Sequence, residues 1–142
     1  MRSFNKVMLY GNLTSDPEVK MSKNSNNFTT FSIATNRDWK DKDGELVSET
    51  DFHRIVAFGR LGEVVARYLK KGAPILVAGR LSSRSYLNAE GEKRYATEVV
   101  LDDFNFIPHQ RSNGTSPEDE EVREAVEAEQ AEAVVEEVIA SV

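Results

Sequence analysis

The chain has 142 residues, 39% of them hydrophobic and none of them cysteine, which predicts one domain plus an appendage and excludes disulfides and thiolate chemistry. The net charge of −6 would argue against a nucleic-acid partner if it were evenly spread. Residues 111–142 contain ten acidic and two basic side chains, which leaves 14 acidic and 16 basic side chains in residues 1–110. The first part of the chain is therefore mildly basic, at +2, and the last part strongly acidic, at −8.

Alternating hydrophobicity predicts short strands in the first sixty residues. Residues 4–13 alternate and end in turn formers, and a short extended segment follows at 18–21. Residues 28–35 predict a second strand and 51–58 a third, with a hairpin turn at Lys42-Asp43-Gly44 between them.

The hydrophobic period changes at residues 61–69, where apolar side chains recur every three or four positions and predict a short helix. Lys70-Lys-Gly72 closes this helix, with cations at its negative end and a glycine just beyond. Two further strands are predicted at 74–85 and 93–101. The order β-β-β-α-β-β predicts an all-β, five-stranded OB-fold barrel with the helix between strands 3 and 4, whereas a β-sandwich would have no helix there.

The composition changes again near Arg111, so we expect a barrel domain over 1–110 and a linker with an acidic tail over 111–142. Ser-Asn-Gly-Thr-Ser at 112–116 is typical of a flexible linker. Ser116-Pro117-Glu118-Asp119 then has the pattern of a helix start. The valines and alanines that follow among the glutamates suit either an amphipathic helix or a disordered segment.

Nothing in the sequence indicates catalysis. The two histidines, His53 and His109, have no metal-ligand spacing around them, and no phosphate-loop or serine-nucleophile motif is present. We therefore expect a protein that is not an enzyme and has no cofactor. The N-terminus lacks the apolar run of a signal peptide and no stretch is long enough to span a bilayer, so we expect a cytoplasmic location.

Aromatic and basic residues are interleaved along the predicted strands. A protein that holds single strands without reading sequence needs flat rings for base stacking and cations for phosphates. The candidates for binding single-stranded DNA are Trp39, Phe52, Arg54, Phe58, Arg60, Arg84 and Tyr86. Polar surroundings favour exposure of Trp39 and Tyr86, whereas spacing alone leaves Phe52 and Phe58 open between the core and the surface. His53 lies on the opposite face of its strand, toward the core or a subunit contact.

Five motifs resemble the bacterial single-stranded-DNA-binding protein family, in order and over roughly residues 4–107. They are Asn5-Lys-Val-Met-Leu-Tyr-Gly-Asn-Leu13 with Asp16-Pro-Glu-Val19, Thr50-Asp-Phe-His-Arg-Ile-Val-Ala-Phe-Gly-Arg-Leu61, Tyr68-Leu-Lys-Lys-Gly72, Gly79-Arg-Leu81 and Arg94-Tyr-Ala-Thr-Glu-Val-Val100. The resemblance implies an OB fold, homotetramers, sequence-independent wrapping of single strands during replication, recombination and repair, and no cofactor.

The resemblance also implies roles for single residues. Trp39, Phe52, Phe58 and Tyr86 stand where the family has stacking aromatics, and Phe52 and Tyr86 replace tryptophan. His53 stands at a position used near subunit contacts. The tail departs from the family, because it ends in Glu137-Val-Ile-Ala-Ser-Val142 rather than in an acidic tip with an aromatic residue. We expect the tail to recruit replication and repair proteins through an apolar face rather than a terminal aromatic residue. This face consists of Val134, Val135, Val138, Ile139 and Val142.

Two other functions fit the predicted fold. A divergent OB-fold adaptor would bind mainly protein, but it has no need of four aromatic residues flanked by cations. An RNA-binding OB domain would use the same chemistry, because no residue here marks recognition of the 2′-hydroxyl.

Overall fold

The computed structural model of the chain describes residues 1–106 and 117–140, with side chains described in 1–106 and 121–132. Its elements in chain order are β1 (Val7–Leu13), β2 (Glu18–Met21), β3 (Asn27–Lys40), β4 (Leu46–Phe58), α1 (Gly59–Tyr68), β5 (Pro74–Leu87), β6 (Lys93–Phe106) and α2 (Pro117–Ala140). No helix in the described part is long and apolar enough to cross a membrane.

Five of the six strands close into a barrel. β1 pairs with β5 along most of its length and with β3 through Asn12 and Leu13, which joins the two ends of the sheet. β4 and β6 pair in parallel at the centre, and the other pairs are antiparallel. β2 adds a short hairpin strand to β3 outside the ring. The predicted five-stranded OB barrel is confirmed, with the helix between its third and fourth strands, here β4 and β5.

The barrel interior is filled by alternate side chains of each strand. Phe31, Ile33, Ile55 and Val77 point inward and are at most 3% exposed, and burial of each such side chain is worth about 1.5–3 kcal/mol. The helix α1 closes one end with Val64 and Val65. 

Glycine at position 62 lets α1 approach the barrel wall. A Cβ on Gly62 would lie 2.6 Å from the carbonyl oxygen of Ala57 and 2.7 Å from Thr29 Oγ1. Real Cβ atoms do not approach backbone oxygens this closely, so any larger residue would push the helix outward.

Two strand pairs extend beyond the region where β4 and β6 meet, and both are longer than the sequence predicted. β3 continues to Lys40 instead of residue 35, and β4 begins at Leu46 instead of residue 51. We call residues 36–50 the β3–β4 arm and residues 83–97 the β5–β6 arm. The turn of the first arm lies where it was predicted, and Asp41 Oδ1 accepts hydrogen bonds there from the backbone nitrogens of Asp43 and Glu45, each at 2.9 Å.

The acidic helix α2 begins at Pro117, as the helix-start pattern predicts, and packs against α1. Val126 is completely buried and joins the core cluster. Glu129 Oε1 accepts hydrogen bonds from Arg67 Nη1 at 2.5 Å and from the Tyr68 hydroxyl at 2.9 Å. The Tyr68 side chain and the negative charge of Glu129 both raise the pKa of Arg67 above its usual value, so this guanidinium stays positively charged. The predicted linker at 112–116 lies outside the described residues.

Candidate nucleic-acid interface

The outer face of β4 presents two phenylalanine rings to solvent. Because side chains alternate along a strand, Ile55 and Ala57 fill the core while Phe52, Arg54 and Phe58 point outward. Phe52 is 69% exposed and Phe58 is 55% exposed. The sequence left these two rings open between core and surface, and the structure places both on the surface.

The neighbouring strands extend this outer face. Phe28 of β3 lies opposite Phe58, with ring centroids 6.2 Å apart and planes at 44°. Lys20 of β2 lies opposite Phe28 and lines an open groove with Arg54 and the acidic residues Asp16 and Glu18. Its Nζ lies 3.5 Å from Glu18 Oε2. Aromatic rings and cations are therefore interleaved across three strands. Phe28 and Lys20 were not predicted as site residues, because each lies near a turn where alternation is short.

Arg84 and Tyr86 of β5 belong to the same outer surface. The guanidinium carbon of Arg84 lies 5.8 Å from the centroid of the Tyr86 ring, which is 46% exposed. Glu98 of β6 connects the two strands, since its Oε1 lies 3.5 Å from Arg54 Nε and 3.1 Å from Arg84 Nη2. We call the face formed by Phe52, Arg54, Phe58, Arg84 and Tyr86 the aromatic–arginine face.

Glu98 was missed by the sequence analysis. The only local signal is an acidic residue in an otherwise apolar stretch of strand, at Thr97-Glu-Val-Val100. Its two arginine partners depend on the register of β6 with β4 on one side and β5 on the other, and such a register is not encoded by local alternation.

Trp39 does not share the aromatic–arginine face. It lies opposite Val47 on the β3–β4 arm, and by alternation it occupies the face opposite to that of Phe52. The ring is 37% exposed, and the guanidinium carbon of Arg37 lies 5.0 Å from its centroid. Arg37 also pairs with Glu49 at 2.6 Å and with Asp51 at 3.2 Å, so the cation beside the ring is held in place.

A second aromatic platform lies on the β5–β6 arm. Tyr95 is 72% exposed, and Lys93 Nζ lies 5.6 Å from its ring centroid. By alternation Tyr95 occupies the face opposite to that of Tyr86 and Arg84. Tyr95 was not predicted as a site residue, even though it follows Lys93-Arg94. Each arm thus has an aromatic ring with an adjacent cation.

Arg60 and His53 lie apart from the aromatic–arginine face. Arg60 is in the first turn of α1, and its Nη2 lies 3.9 Å from Glu132 Oε2 of α2. His53 is half-buried on the inward face of β4, and its Nε2 is 2.8 Å from the hydroxyl of Thr35 across the strand pair. A role of His53 in a subunit contact stays a prediction.

Similarity to known proteins agrees with this arrangement. The model of the Single-strand binding protein family matches residues 4–107. The chain belongs to this family. Relatives include a Single-stranded DNA-binding protein 1 of Xylella fastidiosa, 41% identical over 80% of this chain and 84% of its own length. A Single-stranded DNA-binding protein 1 of Chlorobaculum tepidum is also 41% identical, over 80% of this chain and 70% of its own length.

A solved structure described as a Plasmodium falciparum SSB complex with ssDNA has the same barrel. The TM-score is 0.69 at 34% sequence identity, and the match covers 75% of this chain and 97% of the other. The residues matched by the family model span the whole barrel of this chain, from residue 4 to the end of β6. Among the described residues, no group of three or more acidic or histidine side chains is placed to hold a metal ion.

Proposed function

We propose that this chain binds single-stranded DNA without reading its sequence, by laying the strand across the aromatic–arginine face. Membership in the single-strand binding protein family supports single-stranded DNA as the ligand. The observation that supports this path is the common outer face of Phe52, Phe58 and Tyr86 with Arg54 and Arg84. Each exposed ring can stack on one base, which is worth about 1–3 kcal/mol per base and is insensitive to base identity.

The arginines supply the second half of the interaction. Arg54 and Arg84 each keep about half of their side-chain surface exposed, at 52% and 56%. A guanidinium has five N–H donors, so the donor used on Glu98 leaves others for phosphate oxygens. Trp39 and Tyr95 continue the path around the two arms, each with a cation beside its ring. The reaction is a binding equilibrium with no chemical step and no cofactor.

The names of the relatives favour DNA over the two other candidates. Both curated relatives are named for single-stranded DNA, and the matching solved structure is of a complex with ssDNA. An adaptor that binds mainly protein would not need an exposed phenylalanine on each side of an arginine. We propose that the chain protects single strands during replication, recombination and repair, and that it does so in the cytoplasm.

We further propose that the chain forms a homotetramer. Among the described residues no strand pairs with the second edge of β1 from Val7 to Gly11, and Met8 and Tyr10 on this strand are 64% and 57% exposed. An unpaired edge with apolar side chains favours pairing with another strand, and a second copy of β1 fits by twofold symmetry. This pairing would give a dimer, and the homotetramer that the family resemblance implies would join two such dimers. His53 would lie near a subunit contact, and the α2 region would recruit replication and repair proteins.

Titration of intrinsic fluorescence tests this function, because Trp39 is the single tryptophan of the chain. We expect dT oligomers to quench the emission saturably, with an affinity that falls as salt rises because bound counterions are released. Parallel titration with U oligomers separates DNA from RNA binding. A salt-independent affinity, or tighter binding of U than of dT, would contradict the proposal.

A further inference from the structure

Glu98 is the one ionisable side chain among the buried residues of the described part of the chain. The residue is 9% exposed, and its side chain 11% exposed. A buried carboxylate is unfavourable unless opposite charges or hydrogen bonds compensate it. Glu98 lies beneath the proposed DNA path, where an acidic group would be expected to repel phosphates.

The compensation comes from two strands at once. Arg54 reaches Glu98 from β4 at 3.5 Å, and Arg84 reaches it from β5 at 3.1 Å. Both guanidiniums meet the same oxygen, Oε1, so one atom holds two cations that would otherwise repel each other. The group of three keeps a net charge of +1, and the two arginines still face solvent.

We propose that Glu98 is a positioning residue, which holds the Arg54 and Arg84 guanidiniums side by side to receive phosphates of the bound strand. This inference rests on the proposed function. The gain comes from preorganisation, because the two flexible side chains are ordered before the strand arrives. Simple charge counting predicts the opposite, since removal of an acid from a phosphate-binding face should strengthen binding.

The substitution Glu98→Gln distinguishes these two views, because it keeps the shape and one acceptor oxygen but removes the charge. We expect the affinity for a dT oligomer to fall by about threefold to tenfold, which lies in the lower part of the roughly twofold to 150-fold range of coupling between neighbouring groups. The matched control is Glu63→Gln on α1, which removes the same charge away from the face and should leave the affinity unchanged. Circular dichroism and urea unfolding of both variants check the fold.

A second test leaves Glu98 in place. In a cycle of Arg54→Ala, Arg84→Ala and the double variant, the loss of one arginine lets Glu98 neutralise the other more fully. If the two losses were independent, the fold-loss of affinity in the double variant would equal the product of the two single fold-losses. We expect the loss in the double variant to be smaller than this product, by about twofold or more. Additive losses in this cycle would overturn the inference, as would a folded Glu98→Gln variant that binds as tightly as the wild type or more tightly. If the wild type itself does not bind dT oligomers, the proposed function fails instead.

Discussion

At the scale of single residues, exposed rings beside cations are the main feature of the surface. Five aromatic side chains present rings to solvent: Trp39, Phe52, Phe58, Tyr86 and Tyr95. Exposed apolar rings add nothing to the stability of the fold, so their clustering indicates a binding surface. Four of the five were identified from the sequence, because each lies in a run of polar or basic neighbours or alternates with Arg54. Their division between two faces was not predicted, since it depends on where each hairpin turns.

Trp39→Ala should weaken binding of single-stranded DNA by roughly one to two orders of magnitude, because the loss of one stacked base costs about 1–3 kcal/mol. Leu46→Ala is the matched control, since Leu46 is an exposed apolar residue at the end of the same arm. Fluorescence polarisation of a labelled dT oligomer measures both. An affinity of Trp39→Ala equal to that of the control, with a normal circular dichroism spectrum, would remove Trp39 from the site.

Arg54→Ala should reduce the salt dependence of binding as well as the affinity. Loss of one phosphate contact makes the slope of log affinity against log salt shallower by about 0.7 for single strands. Arg123→Ala on α2 is the control, because Arg123 is exposed and pairs with Glu127 within that helix. Titrations over a series of salt concentrations give both slopes, and an unchanged slope for Arg54→Ala would exclude a phosphate contact there.

At the scale of elements, the sequence predicted the order and type of every barrel element, including α1 within two residues at its start. The spacing of apolar residues distinguishes strands from helices, and it changes from every second residue to every third or fourth at residue 61. Strand ends were predicted less well. The β3–β4 arm contains Asp38 and Glu49, and Asp51 follows it directly; local propensity does not favour these acidic residues in strands. Cross-strand pairs such as Arg37 with Glu49 and Asp51 stabilise the arm, and these contacts are not local.

The contact of α1 with the barrel gives a prediction for stability. Gly62→Ala adds a Cβ within 2.7 Å of both Ala57 O and Thr29 Oγ1. Alanine gains up to about 1 kcal/mol of helix propensity, but overpacking costs about 1–3 kcal/mol, so we expect a net loss of about 1–2 kcal/mol. Urea unfolding measures this free energy, with Glu63→Ala on the same helix as the control. A Gly62→Ala variant as stable as the wild type would mean that the helix shifts without cost.

At the scale of the whole molecule, a basic barrel is joined to an acidic C-terminal segment. The charge asymmetry was evident from the sequence, but the docking of α2 on α1 was not, because Val126 resembles the other valines among the glutamates. Among the described side chains of α2, Val126 is the valine that is completely buried. Beside it, Glu129 accepts hydrogen bonds from Arg67 and Tyr68, and Gln130 donates one to the carbonyl of Phe104. Glu132 of this helix also approaches Arg60, one of the predicted DNA-binding residues.

Truncation after Arg111 should strengthen binding of single-stranded DNA at low salt and matter less at high salt. The segment 112–142 is tethered close to the barrel, so its acids compete with phosphates at high effective concentration, and salt screens that competition. Glu132→Gln keeps α2 and tests the contact with Arg60 alone. Strand titration of both variants at two salt concentrations measures the effect, and circular dichroism checks that the barrel folds without Val126, which belongs to the core cluster. Identical affinities of truncated and full-length chains at both would show that the segment is not an internal competitor.

Stacking of bases on the aromatic–arginine face is tested by the double variant Phe52→Ala, Tyr86→Ala. Its affinity for a labelled dT oligomer is measured by fluorescence polarisation beside Phe4→Ala, which removes a phenylalanine that is 91% exposed outside this face. We expect the double variant to bind about two orders of magnitude more weakly than the wild type, while Phe4→Ala binds normally. A folded double variant with the affinity of the wild type would contradict it.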